Sequence, residues 1–151
     1  MTVTLLIIHG LIAVALLGAL THQAFAATWP RKPGQNDFVA RYRGTNGAGF
    51  ANAVVVLFIA TFIMGGIVYT FYRTQVRPPL EALQDLPTVG LFELKEHYLG
   101  IALAMLPAYW YYWKRRPDAR RTRAAITIVL AVSVWAGFII GHIINNVRGL
   151  V

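Results

Sequence analysis

Four long apolar runs limit what this chain can become more than any other feature. They cover residues 2–27, 48–72, 89–113 and 124–146. Each has the ~20 residues that an α-helix needs to cross about 30 Å of hydrocarbon. The expected fold is an all-α membrane protein, a single domain over residues 1–151 built as a four-transmembrane-helix up-down bundle. Charge fits that class: Asp, Glu, Lys and Arg make up 13% of the chain, about half the share in an ordinary soluble domain. The loops between the runs are too short for a soluble catalytic domain. Neither a Gly-rich phosphate loop nor a nucleophile–base pair is evident, so a non-catalytic subunit is expected.

Ala24-Phe25-Ala26 resembles a signal-peptidase site. No Lys or Arg precedes the first run, however, and the run carries His9 and His22. It is therefore read as a retained first span. The loop after it holds Arg31, Lys32, Arg41 and Arg43 against Asp37, with Trp29 as an interfacial anchor. The second run contains Gly65-Gly66, suited to close helix packing. Arg73 and Arg77 balance Glu81 and Asp85 in the second loop, where Pro78-Pro79 should break the preceding helix and Leu80–Leu86 should form a short interfacial one. Starting the third span near Val89 places Glu93, Lys95, Glu96 and His97 in its outer part; Pro107 should kink it, and the aromatic run Tyr109–Trp113 should anchor its other end. The third loop, Lys114–Arg123, has six basic residues and one acid, Asp118.

Beside apolar spans, such charge is a topology signal rather than a nucleic-acid site. The first and third loops are net +3 and +5 and belong in the cytoplasm, which puts both termini and the neutral second loop on the outer or periplasmic side. The setting is a multi-pass protein of a bacterial inner (plasma) membrane. This topology puts His9, His97 and His142, on three different spans, at roughly 6–12 Å below the outer boundary, and His22 near the inner one. Ionisable groups inside a span are costly unless paired, solvated or used.

Histidines on facing helices at one depth suit a b-type haem, whose iron takes two axial imidazoles inside an apolar bundle. Gly10, Gly141 and Gly100 lie near the histidines and leave room for a flat ring. Trp135 and Phe138 share a face with His142. Arg73, Arg77, Arg148, Asn145 and Asn146 lie at the outer edge, where haem propionates need donors. There is no cysteine, which excludes c-type haem attachment, thiolate ligands and disulfides. In its four spans and its histidines the chain resembles the small four-helix membrane b-type cytochromes, such as the anchor cytochromes of respiratory dehydrogenases. That resemblance implies a respiratory-complex subunit that relays electrons, commonly to or from quinone, beside other subunits of a redox complex.

His9 and His22 are thirteen residues apart, about 20 Å along a helix. The spacing resembles that of two stacked haems in larger b cytochromes. No second inner histidine exists, so one haem b is expected, with His22 in a packing role. Two of His9, His97 and His142 are the expected axial ligands. His97 is favoured because Glu93, four residues earlier, could orient it. The third histidine with Glu93 or Glu96 could instead serve a quinone or proton site. The alternatives are a zinc or copper site of the three histidines with Glu93 or Glu96, or a structural subunit with no cofactor.

Overall fold

The computed structural model describes residues 2–29, 34, 36–43 and 47–147. Those residues are helical with short connections and contain no strand. The elements are α1 (Thr2–Thr28), α2 (Phe38–Arg43), α3 (Gly47–Phe71), a π turn (Tyr72–Val76), α4 (Arg77–Ala82), α5 (Leu86–Arg115) and α6 (Arg120–Val147). Asp37 starts α2: its carboxylate accepts the Ala40 N–H at 2.6 Å.

The second loop is more helical than its prolines predict. After Phe71 the chain widens into the π turn, closed by the Arg77 N–H donating to the Tyr72 carbonyl. Pro78 and Pro79 then fall in the first turn of α4, where a missing N–H costs nothing. The short helix thus spans Arg77–Ala82, three residues earlier than expected. It ends in a Schellman motif. Gln84 takes the left-handed conformation at φ 58°, and the N–H groups of Gln84 and Asp85 donate back to Glu81 and Leu80. Asp85 immediately caps α5, accepting from the Thr88 N–H and, at 2.7 Å, from its hydroxyl.

The four long helices form a ring. α1 packs against α3 and α6, and α5 packs against the same two. Neighbours run antiparallel, as their contacts show: Gln23 near the end of α1 meets Gly47 at the start of α3, and Trp113 near the end of α5 meets Thr127 early in α6. Leu16, Leu20, Val54, Phe58, Leu106, Tyr109, Leu130 and Val134 form one core cluster. A second, separate cluster contains Tyr72, Val76, Leu80, Val89, Phe92 and Ile144.

The outside is as apolar as the inside. Leu11, Val56, Ile101 and Val132 are each more than 60% exposed, a surface that water does not favour and lipid does. Three helical stretches are long and apolar enough to cross a membrane: Val3–Thr28, Gly47–Ala82 and Arg120–Val147. α5, with 30 residues, is no shorter than α1 or α6, but its charged residues set it apart from them in composition.

Candidate functional site

A cavity of about 300 Å³ lies between the two core clusters. Leu16, Phe58 and Val134 of the first cluster line it on one side; Tyr72, Val76, Phe92 and Ile144 of the second line it on the other. Four ionisable residues from three helices also line it: His9 on α1, Lys95 and Glu96 on α5, and His142 on α6.

His9 is half-buried and sits where α1 crosses α3. A Cβ at Gly65 would lie 3.3 Å from its Cε1, so a residue without a side chain lets the imidazole in. His9 Nδ1 is buried and has no hydrogen-bond partner among the described residues. Gly10 and Gly141, beside the two histidines, line the cavity too, and a Cβ at either would meet only open space. His142 is exposed, and the Phe138 ring lies parallel to it at 6.5 Å between centroids. Phe138 also lines the cavity. Trp135 instead donates its indole N–H to Thr21 Oγ1 on α1, at 2.9 Å.

His97 lies elsewhere. It is exposed, it is not among the cavity residues, and its Nδ1–H donates to the Glu93 backbone carbonyl at 2.7 Å. The Glu93 carboxylate does not orient it, because that carboxylate is 3.3 Å from the Arg77 guanidinium. Helical geometry explains the split. Lys95 and Glu96 continue the buried stripe of α5 that runs through Phe92, Leu99, Ala102, Leu106, Tyr109 and Trp113, whereas Glu93 and His97 project on the outer side. Among the described residues no group of three or more His, Asp or Glu side chains is placed to hold a metal ion. The expected alternative of three imidazoles with Glu93 or Glu96 is therefore not assembled.

The residues expected as propionate donors are also partly committed. Arg77 bridges Glu81, at 2.7 Å, and Glu93. The Arg73 guanidinium lies 6.0 Å from the Tyr69 ring centroid. Asn145 and Asn146 are both exposed, and Asn145 lines the cavity whereas Asn146 does not. Gly100 is not part of the cavity, and Arg148 lies outside the described residues.

Two more residues matter here: Tyr72, which the sequence did not single out, and Lys95, which it placed only among the charges of the third span. Tyr72 opens the π turn, is 4% exposed, and leaves its buried hydroxyl without a partner. Lys95 has a side chain only 12% exposed and reaches one carboxylate, Glu96, at 2.8 Å. Both pack on Phe92: the Tyr72 ring is stacked on it at 3.6 Å and the Lys95 Nζ sits 4.2 Å from its centroid. A ring stacked that closely leaves no room for an ammonium between, so the two occupy opposite faces of Phe92.

The far end of the bundle has a different character. Tyr109 donates to Gln23 Oε1, and Gln23 donates its amide N–H to the Gly47 carbonyl at 2.9 Å. Trp113 donates to Thr127 Oγ1 at 2.9 Å, and Trp110 to Asn52 Oδ1 at 2.9 Å. His22 is buried there against Phe50, with ring centroids 5.1 Å apart. These polar groups tie helix to helix. The comparisons with known proteins found no family model, no curated protein and no solved structure that matches this chain.

Proposed function

We propose that this protein is a membrane electron-transfer subunit that holds one haem b in the cavity, with His9 and His142 as the axial pair. The observation that carries the reading is that a single cavity collects these two imidazoles from neighbouring helices, beside glycines that open onto empty space. The unpartnered His9 Nδ1 supports it further: a buried polar atom without a partner is costly unless a ligand completes its surroundings. His97 is set aside as a ligand because it projects away from this space.

On this reading all four long helices cross the bilayer. α5 can do so because its charges are paired, Lys95 with Glu96 and Glu93 with Arg77. α1 and α5 end at the same end of the bundle, and the basic segments that follow them in sequence favour the cytoplasm for that end, which would set the cavity in the outer half. Haem bound there would supply one-electron transfer near the outer membrane surface. The residues of the chain do the rest. His9 and His142 would hold the group, Phe138 lies parallel to the His142 ring, and the apolar lining excludes water. The short loops leave room for a partner subunit or quinone, which would exchange electrons at the membrane edge.

The test is a dithionite-reduced minus oxidised spectrum of the full-length protein, expressed with haem available. The expected result is the sharp α-band of six-coordinate haem b. His9→Ala and His142→Ala should each abolish it, and His97→Ala should keep it. A folded protein that shows no band after haemin loading overturns the proposal, as does a band that survives both cavity substitutions.

A further inference from the structure

We infer that Tyr72 and Lys95 receive the carboxylate edge of the ligand bound in this cavity, an inference that rests on the haem reading above. The cavity is chemically lopsided. Its imidazoles come from α1 and α6. Across from them, the π turn and α5 present one neutral and one cationic donor on the two faces of Phe92. The Tyr72 hydroxyl is buried and lacks any partner. The Lys95 ammonium is nearly buried and has a single anion, Glu96. A buried hydroxyl without a partner and a lone ammonium in an apolar wall both gain from an arriving carboxylate. Arg73 and Arg77, expected from the sequence to do this work, are not cavity residues; Arg77 already holds two carboxylates.

Glu96 makes the inference sharper. A ligand carboxylate at Lys95 would place two anions on one cation, which is unfavourable at short range. The Glu96 side chain is 35% exposed against 12% for Lys95, so Glu96 can turn outward while Lys95 stays. Glu96 therefore competes with the ligand for Lys95, and removing its charge should strengthen binding. A ligand without carboxylates would show the opposite or no response.

The experiment compares haemin with haemin dimethyl ester, which keeps the ring and iron but loses both negative charges. Each is titrated into the full-length apoprotein in detergent, and binding is read from the Soret band. Wild-type protein should prefer haemin by about tenfold or more, the scale of one lost charge-assisted hydrogen bond. Tyr72→Phe and Lys95→Met should each cut the preference several-fold, Lys95→Arg should restore most of it, and Glu96→Gln should raise it. Equal binding of the two compounds by the wild type overturns the inference, and so does a preference unchanged in both Tyr72→Phe and Lys95→Met. Failure of both compounds to bind in a His9- and His142-dependent way overturns the haem reading itself, so the two failures are distinguishable.

Discussion

Tyr109→Phe removes one oxygen atom from the most deeply sealed polar contact in the bundle. Tyr109 and Gln23 are both 0% exposed. The Gln23 amide cannot swing away to find water, because its N–H is fixed on the Gly47 carbonyl at 2.9 Å. After the substitution Gln23 Oε1 is left buried with no donor. An unsatisfied buried acceptor costs about 1–3 kcal/mol. Hydrogen bonds between helices in lipid average nearer ~0.6 kcal/mol. The lack of an escape route for Gln23 places the expected loss between these, at about 1–2 kcal/mol. The assay is unfolding of the purified protein by added SDS in mixed micelles, followed by far-UV circular dichroism. Adding Gln23→Leu to Tyr109→Phe removes both partners. The double change should cost less than the two single losses added together, with a coupling of about 0.5 kcal/mol or more. A Tyr109→Phe protein within about 0.3 kcal/mol of wild type would refute the reasoning, because it would mean that water reaches Gln23.

Two further outcomes are expected. Gly141→Ala should fold normally and gain up to about 1 kcal/mol of helix stability, because its Cβ meets nothing within 4 Å; Gly141→Leu should fill the same space and weaken haemin binding in the Soret titration. In the turn between α5 and α6, the Arg116 guanidinium, 3.0 Å from Asp118, holds the Asp118 carboxyl below its ordinary value of 3.8. A lowered carboxyl contributes stability above pH 3.8 and loses it as the pH falls through the folded value. An NMR titration should place the Asp118 midpoint below 3.8, and Arg116→Gln should return it towards 3.8.

The apolar runs made the long helices legible to within a few residues, because length and hydropathy alone specify them. The run predicted over 48–72 corresponds to α3, Gly47–Phe71, and that predicted over 124–146 to α6, Arg120–Val147. The region around Pro78-Pro79 was less legible, since a π turn has no propensity signature and depends on how the chain meets its neighbours. The site was half legible. His9 and His142 could be placed at one level by counting residues, but the direction each side chain takes needed a phase for its helix. For α5 that phase was present in the sequence. Phe92, Leu99, Leu106, Tyr109 and Trp113 define a stripe at helical spacing; Lys95 and Glu96 fall on it and His97 does not. Reading Glu93 as the partner of His97 used spacing alone and overlooked that an arginine from α4 reaches the same carboxylate. Tyr72 gave no signal, because nothing in its neighbours shows that its hydroxyl is enclosed.

The tryptophans reveal how such a bundle yields under load. Three of the four, Trp110, Trp113 and Trp135, tie one long helix to another through indole N–H bonds. Trp113 also lies so close to the start of α3 that any side chain at Gly47 would collide with its indole. With the Gln23–Tyr109 bond, these ties clamp the end that includes the starts of α3 and α6. At the other end the ion pairs lie within α4 or α5 or join these two consecutive elements, and the contacts between distant helices are mainly apolar. The bundle is therefore built like tongs, hinged at the tied end and closed by contact at the other. A guest the size of a tetrapyrrole could be admitted by spreading the loose tips, with no hinge bond broken. Amide exchange should run fastest at those tips and slowest beside Tyr109.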